Sequence, residues 1–183
     1  MDKDLIKKFE LAEKLLSEKK YEESIANFKK ILEIDPNQIP ALYNIGLCYE
    51  FSNQFNEAEF YYKKCHTLKA DEVRFINNLS TIYLLQKKFN LALPLLEKSL
   101  KINKKQLVIV HHTMMCLIDL GKKKEAEEFS SEKLKDFPDD VVLNKLHARN
   151  LMSLSKHKEG LKYMKKATGF IEFDDDNTDI ITN

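Results

Sequence analysis

The chain has 183 residues, of which 43% are hydrophobic and 32% are charged, and its formal net charge is +1. This near-neutral balance argues against a dedicated nucleic-acid-binding protein or a membrane-surface protein. Of the 30 lysine and arginine residues, only Arg74 and Arg149 are arginines, the residue that phosphate and base recognition favours. We therefore predict a helix-rich globular protein without a nucleic-acid or membrane partner.

Small residues recur along the chain at a fixed spacing of 34 residues. Ser24, Ala58, Ala92, Ala126 and Gly160 follow one another at this interval without an insertion. Small side chains let two helices approach closely, and a period of this length is typical of stacked helical hairpins. The spacing predicts an all-α protein, an α-solenoid built from antiparallel helix pairs.

Apolar residues at helical spacing place two helices in each repeat. In the second repeat, Leu42, Ile45 and Tyr49 share one helix face, and a second helix begins at Phe55 after a polar break. Proline and glycine mark the ends of several helices, as at Pro36, Pro138 and Gly121. In chain order, the predicted helices span residues 3–18, 21–34, 38–51, 55–68, 72–85, 89–102, 107–120, 123–136, 140–154 and 157–168.

One stretch carries a family resemblance. The segment Ala41–Tyr49, followed by Phe55, Ala58 and Tyr62, resembles the tetratricopeptide repeat. The resemblance covers about residues 5–170 and implies a right-handed solenoid of about ten helices over residues 1–168. It divides the chain into five repeats, at about residues 5–38, 39–72, 73–106, 107–140 and 141–170. Residues 169–183 are predicted to form a capping segment and acidic tail, or a linker to a further domain.

The resemblance also implies where a ligand binds. In this family the first helix of each repeat lines a concave groove that holds a peptide or a helix of another protein. Glu13 is one such groove position in the first repeat. Carried over position by position, the predicted peptide-binding groove consists of Phe9, Tyr43, Asn44, Leu47, Phe51, Arg74, Asn77, Asn78, Thr81, His111, His112 and Met115.

Two groove residues suggest a way of holding a peptide. Asn44 and Asn78 lie one period apart, and His112 lies one period further on. An amide side chain both donates and accepts hydrogen bonds, so this column could clamp the backbone of an extended peptide. The alternative is that these side chains form local or interhelical bonds. A grip on a terminal carboxylate is disfavoured, because Phe9 and Glu13 stand where such a site requires basic or amide groups.

The sequence contains little that indicates catalysis. It has no HExxH motif, no phosphate-binding loop and only four glycines. Cys48, Cys65 and Cys116 are odd in number and widely spaced, which predicts buried, reduced thiols rather than disulfides or metal ligands. We predict that the protein is not an enzyme and needs no cofactor or metal.

These observations favour a protein-interaction scaffold that binds a peptide or helix in its groove. The alternatives are an N-terminal targeting or regulatory module of a larger enzyme and a self-associating repeat domain, which would form a homo-oligomer. The charged first residues lack the apolar core of a signal peptide, and no run approaches the roughly 18 apolar residues of a membrane span. The sequence therefore predicts a cytoplasmic protein whose protein or peptide partner it does not identify.

Overall fold

The computed structural model describes residues 3–169, and within this range the chain forms ten α-helices and no β-strand. All ten predicted helices are present, with every boundary within one residue of its predicted position, which confirms the all-α prediction. The helices are α1 (Lys3–Ser17), α2 (Tyr21–Ile34), α3 (Ile39–Phe51), α4 (Phe55–Leu68), α5 (Val73–Leu85), α6 (Phe89–Ile102), α7 (Leu107–Asp119), α8 (Lys123–Asp136), α9 (Val141–Ser153) and α10 (His157–Thr168).

The helices belong to two compact units, Met1–Gln106 and Leu107–Asn183. The first unit contains the helix pairs α1–α2, α3–α4 and α5–α6, and the second contains α7–α8 and α9–α10. The limit between the units coincides with the predicted limit between the third and fourth repeats. The prediction of one continuous solenoid over residues 1–168 stays a prediction, and residues 170–183 of the predicted tail lie outside the described residues.

The small residues of the 34-residue period lie where the two helices of each pair meet. All five are buried, and Ala58, Ala92 and Ala126 are completely inaccessible to solvent. In the first pair, the hydroxyl of Ser24 donates a hydrogen bond of 2.8 Å to the Ala12 carbonyl on the facing helix. A larger side chain at these positions would push the paired helices apart, as the sequence predicts.

The turn inside each helix pair has one residue in the left-handed conformation. Lys19, Asn53, Lys87, Gly121 and Ser155 have φ angles of 57° to 70°, and they too lie 34 residues apart. The predicted glycine turn at Gly121 is thereby confirmed. In the other repeats a side-chain-bearing residue adopts the same conformation, at a cost of about 1–2 kcal/mol that the packed helices on either side offset.

The cores of the two units differ in polarity. In the first unit, Phe28, Ile31 and Ile45 lie in a buried apolar cluster between α1, α2 and α3. In the second unit, α9 buries Asn144 and Asn150. The Asn144 amide donates to backbone carbonyls of the connection before α9, and the Asn150 amide donates to the carbonyl of Lys123, the first residue of α8. These polar residues replace the apolar residues usual in the repeat and tie the helix ends to the neighbouring turns.

Candidate functional site

An open cleft of about 480 Å³ lies on the first unit, where side chains of α1, α3 and α5 face it. Four residues of the predicted groove are brought together here, together with Glu13. Gln38, Ile39, Pro40 and Phe75 also contribute to the lining. The full lining is Phe9, Glu13, Gln38, Ile39, Pro40, Tyr43, Asn44, Arg74 and Phe75. Its volume falls in the range of about 300–1,000 Å³ that is typical of ligand pockets.

The apolar walls of the cleft are aromatic rings backed by the core. The Phe9 ring contacts Phe28 edge-on, with 5.3 Å between the ring centroids. Tyr43 lies between Tyr62 and Phe75, at centroid distances of 5.8 and 5.6 Å. Because Phe28, Tyr62 and Phe75 are buried, the half-exposed rings are supported from behind and present a fixed surface to the cleft.

Arg74 places a positive charge at the α5 side of the cleft. Its guanidinium carbon lies 5.2 Å from the Tyr43 ring centroid and 5.6 Å from that of Phe75. Among the described residues, no carboxylate lies within ion-pair distance of this exposed side chain. The guanidinium therefore rests on two rings, an arrangement worth about 0.5–1 kcal/mol at an exposed site, and keeps its hydrogen-bond donors available.

The predicted asparagine column is not uniform. Asn78 donates a hydrogen bond of 3.1 Å from Nδ2 to the hydroxyl of Tyr43, which lies 35 residues earlier, in the preceding repeat. The equivalent neighbour of Asn44 is Phe9, which has no hydroxyl to accept a bond. Within residues 3–169 the half-buried Asn44 amide consequently has no hydrogen-bond partner and remains available to a ligand.

Tyr43, which lines the cleft, also carries a hydroxyl group. Burial raises the pKa of this phenol, while its bond from Asn78 and the nearby Arg74 act in the opposite direction. The phenol is therefore protonated at neutral pH, accepts one hydrogen bond from Asn78 and retains its own hydrogen as a donor. Asn44 and Tyr43 are adjacent in sequence, and both line the cleft.

Two other predicted groove residues have partners inside their own units. Asn77 donates 2.9 Å to Gln106 and accepts 2.5 Å from Ser99. One period later, His111 Nε2 lies 2.6 Å from Asp140 Oδ1. The Asn77–Gln106 and His111–Asp140 bonds each connect the first helix of one repeat to the residue that precedes the first helix of the next repeat. Asn77 and His111 therefore form interhelical contacts.

The remaining predicted residues lie outside the cleft lining. Leu47 and Thr81 are half-buried, whereas Phe51 is 54% exposed and Met115, in the second unit, is 42% exposed. His112 is half-buried, and its Nδ1 has no hydrogen-bond partner among residues 3–169. Burial lowers the pKa of His112, and the neighbouring His111 acts in the same direction.

Four lining residues were missed by the sequence reasoning. Gln38, Ile39 and Pro40 form the start of α3, and the Gln38 side chain accepts a 2.6 Å bond from the Ala41 amide as its N-cap. Phe75 has the pattern of a core residue and is only 3% exposed. Gln38 directly precedes the first helix of its repeat, and this position in the sequence could have indicated that it lies near the groove. Nothing in the sequence distinguishes Phe75 from an ordinary core aromatic residue.

A buried serine and histidine in the second unit are hydrogen-bonded but unsuited to catalysis. Ser130 Oγ lies 2.7 Å from His147 Nδ1, and the serine is completely buried. The serine hydroxyl donates to the Ala126 carbonyl at 2.5 Å, so it accepts from the Nδ1–H of the histidine. A serine that donates to its own helix and has no access to solvent is a packing element.

The thiols are buried and protonated. Cys48, Cys65 and Cys116 are all free and buried, as predicted, and burial raises the pKa of Cys65 and of Cys116 to about 12. A thiol with such a pKa is a poor nucleophile at neutral pH.

Between residues 3 and 169 no group of three His, Cys, Asp or Glu side chains is placed to hold a metal ion. Over the same residues, none of the helices has the length and apolar character required to span a bilayer.

The comparisons with known proteins agree with this architecture. Residues 15–64 match the sequence model of the tetratricopeptide repeat, and residues 51–133 match that of the anaphase-promoting complex, cyclosome, subunit 3. The chain is also 30% identical over 112 residues to the tetratricopeptide repeat-containing protein trd-1 of Caenorhabditis elegans. This match covers 61% of the chain and 14% of trd-1, so the chain corresponds to a small part of that relative.

Solved structures with the same fold include two tetratricopeptide repeat proteins. A crystal structure of MamA has a TM-score of 0.85 at 18% identity, covering 92% of this chain and 92% of MamA. YrrB, described as a TPR protein with an unusual peptide-binding site, has a TM-score of 0.80 at 21% identity, covering 88% of this chain and 84% of YrrB. Together, the family matches and the fold support a tetratricopeptide repeat protein, and the solenoid fold class predicted from the sequence is confirmed.

Proposed function

We propose that the protein is an interaction scaffold whose first unit binds a peptide or helix of another protein in the cleft. Tetratricopeptide repeats are generally protein-interaction modules, and YrrB is described as having a peptide-binding site. The cleft of this chain offers rigid aromatic walls for an apolar side chain and polar groups for its backbone. We place the site at Phe9, Tyr43, Asn44 and Arg74, which are the predicted groove residues that line it.

The observation that carries this proposal is the Asn44 amide, which lines the cleft and has no hydrogen-bond partner within residues 3–169. A half-buried amide of this kind loses part of its hydration without a compensating bond to the described part of the protein. A peptide backbone supplies both the carbonyl that the amide N–H can bind and the N–H that its oxygen can accept. Asn78 does not take part, because its amide already holds Tyr43.

We also propose that this role is non-catalytic. The family matches and solved neighbours are tetratricopeptide repeat proteins, and the serine and cysteine side chains considered above are buried. The alternative of a targeting or regulatory module within a larger protein is supported by trd-1, of which the matching part is only 14%. A cytoplasmic location and self-association stay predictions.

Selection of peptides from a displayed library of random 12-residue sequences tests the proposal. The affinity of synthetic copies of the selected peptides is then measured by fluorescence polarisation against the native protein and Asn44→Ala. Loss of one backbone hydrogen bond should weaken binding about two- to tenfold, and loss of two about fivefold to a hundredfold. The melting temperature should not fall, because Asn44 has no bond to lose within the described protein.

Asn27→Ala is the matched control. Asn27 lies on α2, outside the cleft lining, and its amide bonds only to the Glu23 carbonyl of the same helix. This change alters helix propensity as Asn44→Ala does but should leave peptide affinity unchanged. Equal affinities of the selected peptides for all three proteins would place the binding surface elsewhere and refute the proposal.

A further inference from the structure

Opposite charges stand at opposite sides of the cleft. Glu13 is on α1, Arg74 is on α5, and Asn44 is on α3 between them. Both charged side chains are exposed, and within residues 3–169 neither has a partner at ion-pair distance. A path across the cleft from α1 through α3 to α5 therefore meets a carboxylate, an amide and a guanidinium in that order.

The arrangement of Arg74 favours a carboxylate ligand. One face of its guanidinium lies over the Tyr43 and Phe75 rings, which restricts the side chain and leaves the edge with its N–H donors free. A guanidinium edge matches the two oxygens of a carboxylate. A single guanidinium opposite a carboxylate is, however, a poor grip for an isolated anion, because Glu13 repels any further negative charge on the other side.

The helix spacing sets the distance between the two ends of a ligand. Closely packed helices lie about 8–10 Å apart, so a path that crosses α1, α3 and α5 spans at least roughly 16–20 Å between the two outer axes. The long side chains of Glu13 and Arg74 shorten this span from both sides. At about 3.3 Å per extended residue, the ligand residues that meet them are roughly three to six positions apart.

We propose that the cleft selects an internal, extended peptide segment with one acidic and one basic side chain on either side of an apolar residue. This inference rests on the proposed function, since it specifies the peptide that the same cleft takes. The acidic side chain pairs with Arg74, the basic one pairs with Glu13, and the apolar residue packs on Phe9 and Tyr43. Asn44 bonds the backbone in the middle. Exposed ion pairs add little affinity, but they discriminate between ligands of the right and wrong charge.

A small set of synthetic peptides tests the charge pattern. Each has a central phenylalanine, an acetylated N-terminus and an amidated C-terminus, so that all charges come from side chains. Glutamate and lysine flank the centre in both orders at separations of three to six residues, and a parallel series carries glutamine at both positions. In the best-matched order and separation, each charged residue should raise the affinity about two- to fivefold over glutamine in fluorescence polarisation, and 0.5 M salt should diminish this gain.

Charge-neutral variants assign each gain to one side chain. With Arg74→Gln, the peptide glutamate should lose its advantage over glutamine while the lysine keeps its own. With Glu13→Gln, the peptide lysine should lose its advantage over glutamine while the glutamate keeps its own. Arg149→Gln, on α9 of the second unit, and Glu10→Gln, on α1 outside the cleft lining, are the matched controls and should leave both gains intact.

The results separate failure of this inference from failure of the proposed function. If the glutamine peptides bind with the expected dependence on Asn44 but the charges add nothing, the cleft binds peptides and the charge pattern is refuted. A neutral peptide with a free C-terminus that recovers the whole Arg74-dependent gain would also refute it, in favour of a terminal carboxylate. If no peptide of any series shows a dependence on Asn44, Glu13 or Arg74, both proposals fail.

Discussion

Replacing Gly46 with alanine places a methyl group against a ring that cannot easily move. A Cβ atom at Gly46 would lie 2.6 Å from Tyr62 Cε1 and 2.8 Å from Cδ1, whereas ordinary contacts are 3.4–4 Å. Tyr62 is fully buried, and its hydroxyl donates a bond of 2.6 Å to Glu50 Oε2. Because the ring is confined by its neighbours and held at the hydroxyl, either the ring or the helix α3 must shift.

Two opposing effects determine the change in the free energy of unfolding. Overpacking by a methyl group costs about 1–3 kcal/mol. Removing a glycine from a helix interior contributes about 0.5–1 kcal/mol in the other direction. We therefore expect Gly46→Ala to destabilise the protein by about 0–2.5 kcal/mol. In a Tyr62→Leu background the ring is absent, so the same change should stabilise by about 0.5–1 kcal/mol.

A double-mutant cycle measures the difference between these two values. Urea unfolding of the native protein, both single variants and the double variant, followed by circular dichroism at 222 nm, gives the four free energies when the m-values agree. The coupling energy between the two sites should be about 1–3 kcal/mol. If Gly46→Ala changes stability equally in the native and Tyr62→Leu backgrounds, the Tyr62 ring can move aside without loss of stability, and the reasoning from close contact is wrong.

Three further changes test other parts of the structure. Ala92→Leu should destabilise by about 1–3 kcal/mol, because Ala92 is completely buried where α5 and α6 meet. Asn78→Ala should lower the free energy of unfolding by about 0.5–1.5 kcal/mol, since the amide that holds Tyr43 is lost. Burial lowers the pKa of His147 below 6.5, with Lys156 acting in the same direction and Glu127 and Glu159 opposing it. The unfolded chain therefore binds more protons, stability falls as pH drops from about 6.5 towards the folded-state pKa, and His147→Gln should reduce this dependence.

All three changes are measured by urea unfolding, and two of them have a matched control substitution. Ala26→Leu, at an exposed position of α2, should leave stability almost unchanged. If Ala26→Leu and Ala92→Leu lower the free energy of unfolding equally, the packing argument is contradicted. An unaltered stability in Asn78→Ala would show that its bond to Tyr43 contributes nothing. His157→Gln replaces an exposed histidine and should retain the pH dependence of stability of the native protein. If the free energy of unfolding of His147→Gln depends on pH as strongly as that of the native protein, the buried histidine is not the source of the pH dependence.

The helices and their pairing follow from the sequence because they depend on local and periodic properties. Apolar side chains at helical spacing determine which face of a helix avoids water, and this is visible in any window of the chain. Small residues such as Ala58 and Ala92 recur at the same interval, so the close approach of paired helices could be predicted without coordinates. Pro36 and Pro138 fix the ends of α2 and α8 through their own backbone restrictions.

The fate of polar side chains was not predictable in the same way. Asn44 and Asn78 occupy the same column, yet within residues 3–169 Asn78 is bonded and Asn44 is not. The reason is that the neighbour one repeat earlier is Phe9 for Asn44 and Tyr43 for Asn78. A hydrogen bond depends on the identity and position of a particular partner across the fold, whereas burial of an apolar face depends mainly on periodicity.

The sequence by itself thus determined an all-α repeat protein, its helix boundaries and the helices from which a groove would be built. Only the tertiary structure selected, from twelve predicted groove residues, the four that line one cleft. It also added Phe75, whose sequence context is that of a core residue, and the aromatic support that leaves the Arg74 donors free. The physical reason is that a cleft forms where side chains from α1, α3 and α5 fail to fill the space between them, and that depends on their three-dimensional packing.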